Sequence, residues 1–107
     1  MTPPADRPPA AARIRARSTE TVVHASGEFD LATLPLLEEA LSRAHAHGRD
    51  VLVDLSQVTF VDATSLGAIV QAHGALAVEA RVLRLVNVPA RIDKLLGVTR
   101  LRTLLAA

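Results

Sequence analysis

The run Val51-Leu52-Val53-Asp54-Leu55 constrains the fold more than any other stretch of this chain. It is nearly all aliphatic, as expected of a central strand buried in a sheet. Helical spacing lies on either side of it. Before it, Leu34, Leu37, Leu41 and Ala44 recur at helical intervals, with Thr33 as N-cap candidate, Pro35 in the first turn and Gly48 at the end. After it, Leu66, Ile69, Val70 and Leu76 or Ala77 predict a second helix over about 64–78. Ser56 to Ala63 reads as a tight connecting segment.

The flanks complete the pattern. Arg13–Arg17 alternates, with Ile14 and Ala16 on one side, and predicts an edge strand. Thr21–Ala25 predicts its hairpin partner, with Gly27 as a breaker. Val82–Val86 predicts a further strand. Asn87 and Pro89 then open a third helix, with Ile92, Leu95 and Leu96 on one face and Gly97 at its end, and Thr99–Leu105 reads as a short last helix. Strands joined through a helix run parallel with right-handed crossovers. The expectation is an α/β fold: a small mixed sheet of about four strands, with three to four helices packed mainly on one face.

Composition narrows the function. Of 107 residues, two are aromatic, Phe29 and Phe60, so the core has to be aliphatic. There is no cysteine, which excludes disulfides and thiol chemistry. The net charge is +1, and neither a basic stripe nor stacking aromatics suggest nucleic acid. No apolar run approaches the roughly 20 residues that span a bilayer. The start, MTPPADRPPA, lacks the apolar core of a signal peptide, so a cytoplasmic location and no membrane insertion are expected. Residues 1–12 hold four of the six prolines and read as a disordered tail, leaving 13–107 as one domain.

Few residues carry chemistry. His45 and His47 point about 200° apart on a helix, and no Glu lies at zincin spacing from any histidine. No Gly-rich phosphate loop is present, so no metal, cofactor or catalytic residue is expected. Gly67 and Gly74 lie seven apart on one helix face. They suit either close packing on a neighbouring element or a smooth surface for a partner. The strongest local feature is Phe60-Val61-Asp62-Ala63-Thr64-Ser65-Leu66-Gly67. Asp62 and Thr64 are both N-cap residue types, and capping alone explains them. A hydroxyl at a helix start is also well placed for a phosphate, which the helix N-terminus tolerates and which adds about −1.5 to −2 charge. Asp30, in Gly27-Glu28-Phe29-Asp30, follows an earlier strand and is expected near Asp62, at the edge where parallel strand ends meet.

Three blocks resemble STAS domains, in that family's order: Gly27-Glu28-Phe29-Asp30; Val51-Leu52-Val53-Asp54-Leu55-Ser56 through Phe60–Gly67; and Leu83-Arg84-Leu85-Val86-Asn87-Val88. Within the family the chain most resembles the bacterial anti-sigma factor antagonists. The resemblance implies a non-enzymatic partner switch. Its partner is an anti-sigma factor with serine/threonine kinase activity, and a phosphatase resets it. The implied phosphorylation site is Thr64, with Ser65 as the alternative. The resemblance matches Asp30 and Asp62 to the flanking aspartates, and with the helix face read above the expected partner-binding residues are Asp30, Asp62, Ala63, Thr64, Ser65, Gly67 and Gly74. The family's acceptor is usually Ser, commonly after another Ser and before Gly; here Ala63, Thr64 and Ser65 stand in those places. A Thr near this position also occurs in STAS subunits of lipid-transport ABC systems, so the alternative is a constitutive accessory subunit of such an ATPase.

Overall fold

The computed structural model describes residues 9–99. Strand β1 spans Ala11–Ala16, β2 Glu20–Phe29, helix α1 Leu34–Ala46, β3 Asp50–Val61, α2 Ala63–Val78, β4 Leu83–Val86 and α3 Ala90–Thr99. The sheet order is β1-β2-β3-β4. β1 and β2 form an antiparallel hairpin, whereas β2–β3 and β3–β4 are parallel. The α/β mixed sheet expected from the sequence is the one observed.

This order dictates where the helices go. Both crossovers step across the sheet in the same direction, so right-handedness places α1 and α2 on the same face. There α1 packs on β1 and β2, α2 packs on β3 and β4, and the two helices touch each other. The stripe Leu37, Ala40, Leu41 and Ala44 of α1 meets Leu66, Ala68, Ile69 and Leu76 of α2 over Val23, Val51, Val53 and Leu83. Ile92 and Leu96 of α3 join the same core. Side chains as fully buried as Leu37 or Ile69 cost about 2–5 kcal/mol to truncate to alanine.

Several boundaries differ from the sequence expectation. β1 starts at Ala11, two residues into the stretch expected to be a tail, because Ala10 and Ala12 continue the inward alternation of Ile14 against the core. Gly27 does not break β2. It lies within the strand at φ +84°, and a Cβ there would stand 2.7 Å from the Pro9 carbonyl oxygen and 2.9 Å from Ala10 Cα. The incoming chain lies directly over this glycine.

Ser56 to Ala63 is not a loop either; β3 runs on to Val61. Its register with β2 shifts between His24 and Ser26 and again between Gly27 and Glu28. At each shift β3 uses one residue more than β2, so Leu55, Val58 and Val61 face the core at intervals of three. The bulges break the two-residue alternation that marks a strand in sequence. Gly97 lies inside α3 rather than at its end. Leu95 is more exposed than its neighbours Ile92 and Leu96. The expected last helix, Thr99–Leu105, falls outside the described residues after Thr99.

Candidate functional site

The parallel strands β2 and β3 end side by side. Phe29 pairs with Val61, and the Asp62 N–H donates to the Phe29 carbonyl at 3.0 Å. Asp30 and Asp62 therefore leave neighbouring strands at the same edge. Each opens the helix that follows its strand.

Asp30 organises the entrance to α1. Its Oδ1 accepts from the Ala32 N–H at 3.0 Å and the Thr33 N–H at 3.2 Å. Thr33 occupies the N-cap position but makes no side-chain cap bond. Its hydroxyl instead accepts from the Asp30 N–H at 3.0 Å and reaches back to the Glu28 carbonyl at 3.0 Å.

Asp62 is the N-cap of α2. Its extended backbone (φ −99°, ψ 179°) lets Oδ1 accept the Ser65 N–H at 2.9 Å. The same oxygen accepts the Thr64 hydroxyl at 2.7 Å. The Ser65 N–H bond, followed by the Thr64 hydroxyl bond, holds the Asp62 carboxyl below its ordinary pKa.

The two neighbouring hydroxyls differ sharply. Thr64 is exposed, with its proton committed to Asp62 and its oxygen open to solvent. Ser65 is 0% exposed, and its Oγ has no hydrogen-bond partner. Ser65 as an alternative acceptor is at odds with this burial, because the side chain turns under α2 toward the core. Ala63 is exposed beside Thr64.

Gly67 and Gly74 follow Thr64 along the exposed side of α2. A Cβ on either would meet nothing within 4 Å. Among the described residues no neighbouring element packs closely on them, against one of the two readings of these glycines. They share one face of α2 with Thr64, Gln71 and Val78, the last itself 88% exposed.

Large apolar residues the sequence reading passed over flank the two aspartates. Leu31, next to Asp30, is 72% exposed, and Phe60, two before Asp62, is 48% exposed. Leu36, in the first turn of α1, is also exposed. For Phe60 the signal was unreadable in sequence, since the β3 bulge turns it outward. Leu31 was legible as an apolar residue in an otherwise turn-like segment. Among the described residues no three His, Cys, Asp or Glu side chains gather in a metal-holding group. His24 contacts Asp54, His45 contacts Glu79 and His47 contacts Thr21. No helix among the described residues is long and apolar enough to cross a membrane.

Fold and site together define a small mixed-sheet α/β domain with a carboxylate-held, exposed hydroxyl at the start of its second helix. Residues 12–106 match the family model described as Mlab, STAS domain. The chain is 37% identical over 84 residues to an anti-sigma-B factor antagonist of Staphylococcus aureus, covering 78% of each protein. The chain therefore belongs to the STAS domain family of anti-sigma factor antagonists. Its fold superimposes on a crystal structure of an anti-sigma factor antagonist from Mycobacterium paratuberculosis with a TM-score of 0.77 at 24% identity, over 91% of this chain and 83% of that one. The Bacillus cell fate determinant SpoIIAA in its phosphorylated form has a TM-score of 0.70 at 18% identity, over 89% and 88% of the two chains.

Proposed function

We propose that this protein is an anti-sigma factor antagonist in a cytoplasmic partner-switching cascade, regulated by phosphorylation of Thr64. It binds an anti-sigma factor that is also a serine/threonine kinase and so frees the sigma factor. A phosphatase restores the unmodified form. The protein performs no reaction of its own.

The observation that carries this reading is the contrast between Thr64 and Ser65. One hydroxyl stands open at a helix start, and its neighbour is sealed in the core. The names of the relatives and the phosphorylated form of a structural neighbour agree with it. Physically, a phosphate on Thr64 takes away the hydroxyl proton that Asp62 accepts and sets about −1.5 to −2 charge beside that carboxylate. The first N–H groups of α2 favour the new anion, while Asp62 opposes it. A partner seated on Thr64, the α2 face running through Gly67 and Gly74 and the Asp30 turn then meets a charge it was not shaped for. A loss of 3 kcal/mol in that interface would weaken binding by roughly a hundredfold.

The test is phosphate incorporation, read by mass spectrometry after incubation with the candidate kinase partner and ATP. Modification at Thr64 that disappears in Thr64→Ala supports the switch. A Thr64→Asp variant that binds the anti-sigma factor as tightly as Thr64→Ala overturns it.

One observation favours the second reading, a constitutive accessory subunit of a lipid-transport ABC ATPase. The Thr64 hydroxyl is already engaged by Asp62, and the motif departs from the usual Ser acceptor. That reading requires co-purification with a membrane ATPase complex, with no phosphate on Thr64.

A further inference from the structure

The face of the sheet turned away from α1 and α2 carries a different set of residues. Strand alternation sends Arg13 and Arg15 of β1, Val22 and His24 of β2, Leu52 and Asp54 of β3, and Arg84 and Val86 of β4 to this side. Register aligns them in two cross-strand rows. Arg15, Val22, Leu52 and Arg84 form one row; Arg13, His24, Asp54 and Val86 form the next. The first row has an aliphatic centre with a guanidinium at each end. Val22 is 5% exposed, yet it stands apart from the main core cluster, as do Leu52 and Val86. These three make the apolar floor of a cavity of about 140 Å³, rimmed by Arg15, Arg17, His24 and Asn87.

The one carboxylate in the cavity is occupied. Asp54 Oδ1 accepts the Ser56 N–H at 2.9 Å and the Asn87 amide at 3.3 Å, and its Oδ2 meets His24 Nδ1 at 3.2 Å. Burial pushes the Asp54 carboxyl up, but the bonds from Ser56, Asn87 and His24 outweigh it and keep the group ionised at lower pH than usual. Asn87 reaches Asp54 from a left-handed backbone (φ +54°), a conformation asparagine tolerates. Arg17 is partly neutralised by Glu20 at 3.5 Å. Arg13, Arg15 and Arg84 are exposed and have no anionic partner among the described residues. Of these only Arg15 lines the cavity, which therefore offers an uncommitted guanidinium above an aliphatic floor, with its own acid internally satisfied.

We infer that this open sheet face binds a small organic anion, a carboxylate or phosphate group carried on a compact apolar body. Arg15 takes the charged group, and Val22, Leu52 and Val86 take the body. Guanidinium suits this role because its fork of donors matches a planar oxyanion. The cavity is well below the roughly 300–1,000 Å³ of drug-sized pockets, so the body is small. The site lies away from Thr64 and does not depend on the partner-switching reading.

The experiment is an amide NMR titration of the ¹⁵N-labelled full chain with benzoate and, separately, with inorganic phosphate, at matched ionic strength. Saturable shifts grouped at Val22, His24, Leu52 and Val86 are expected, with benzoate tighter than phosphate. Arg15→Gln, a change at an exposed side chain, is expected to weaken benzoate binding by about tenfold or more. Leu52→Ser is expected to weaken benzoate and leave phosphate unchanged. No saturable shift at these amides with benzoate, or equal binding by Arg15→Gln, overturns the site. Phosphate binding as tight as benzoate overturns the apolar part of the assignment.

Discussion

Thr64 and Asp62 share one short hydrogen bond: the threonine hydroxyl donates to Asp62 Oδ1 at 2.7 Å, on the same oxygen that caps α2 through the Ser65 N–H at 2.9 Å. The residue proposed for modification and the residue that starts the helix are therefore mechanically joined. Substituting either one tests both roles.

Asp62→Ala removes the cap and is expected to cost about 1 kcal/mol, read as a lower urea midpoint with an unchanged slope. Asp62→Asn keeps an acceptor and is expected to lose less. The folded-state pKa of Asp62 is depressed, so its ionic contribution is present above the unfolded value of about 3.9 and is lost as pH falls through the lower folded value. The gap between wild type and Asp62→Asn should be open near neutrality and close in that acid window.

Ser65→Ala is expected to be neutral or to stabilise the fold by up to about 1 kcal/mol, since it removes a buried hydroxyl oxygen that has no partner. Calorimetric melting checks this. The same variant is expected to take up phosphate normally, whereas Thr64→Ala takes up none.

Glycine substitutions should divide by location. Gly27→Ala forces a Cβ against Pro9 and Ala10 at positive φ and is expected to destabilise by about 1–3 kcal/mol. Gly67→Ala and Gly74→Ala enter open space on α2 and are expected to stabilise by up to about 1 kcal/mol each. If this face of α2 receives the anti-sigma factor, Gly67→Ala binds it more weakly despite the gain in stability. Paired denaturation and binding measurements separate the two effects.

Arg81 closes the end of the molecule opposite Thr64. Its guanidinium donates to the carbonyls of His45 at 3.0 Å and Arg49 at 3.1 Å, and to Glu79 at 2.9 Å. It ties the chain at and just beyond the end of α1, where the His45 carbonyl also accepts from the Gly48 N–H at 3.1 Å, to the segment that leads into β4. Arg81→Ala is expected to cost about 1.5–3 kcal/mol in urea unfolding. Glu79→Gln should matter far less, since its side chain is 48% exposed and its bonds to His45 and Arg81 compete with water.

The sequence by itself determined the order of elements, the parallel centre of the sheet and the placement of Asp30 and Asp62 at one edge of it. Periodicity in Leu34–Ala44 and the aliphatic run Val51–Leu55 are local properties, and the handedness of crossovers does the rest. Tertiary structure alone decided the remainder. Leu55, Val58 and Val61 take a three-residue interval because β2 shifts register against β3, which no single strand encodes. Asp62, rather than Thr64, caps α2 because β3 is drawn out as far as Val61. Thr64 and Ser65 are chemically similar neighbours, and nothing local separates them. The rotation of α2 on the sheet buries one and exposes the other, since a helix turns each successive residue by about 100°. The rows Arg15–Val22–Leu52–Arg84 and Arg13–His24–Asp54–Val86 likewise exist only once four strands lie in register, because cross-strand neighbours are set by pairing and not by position along the chain.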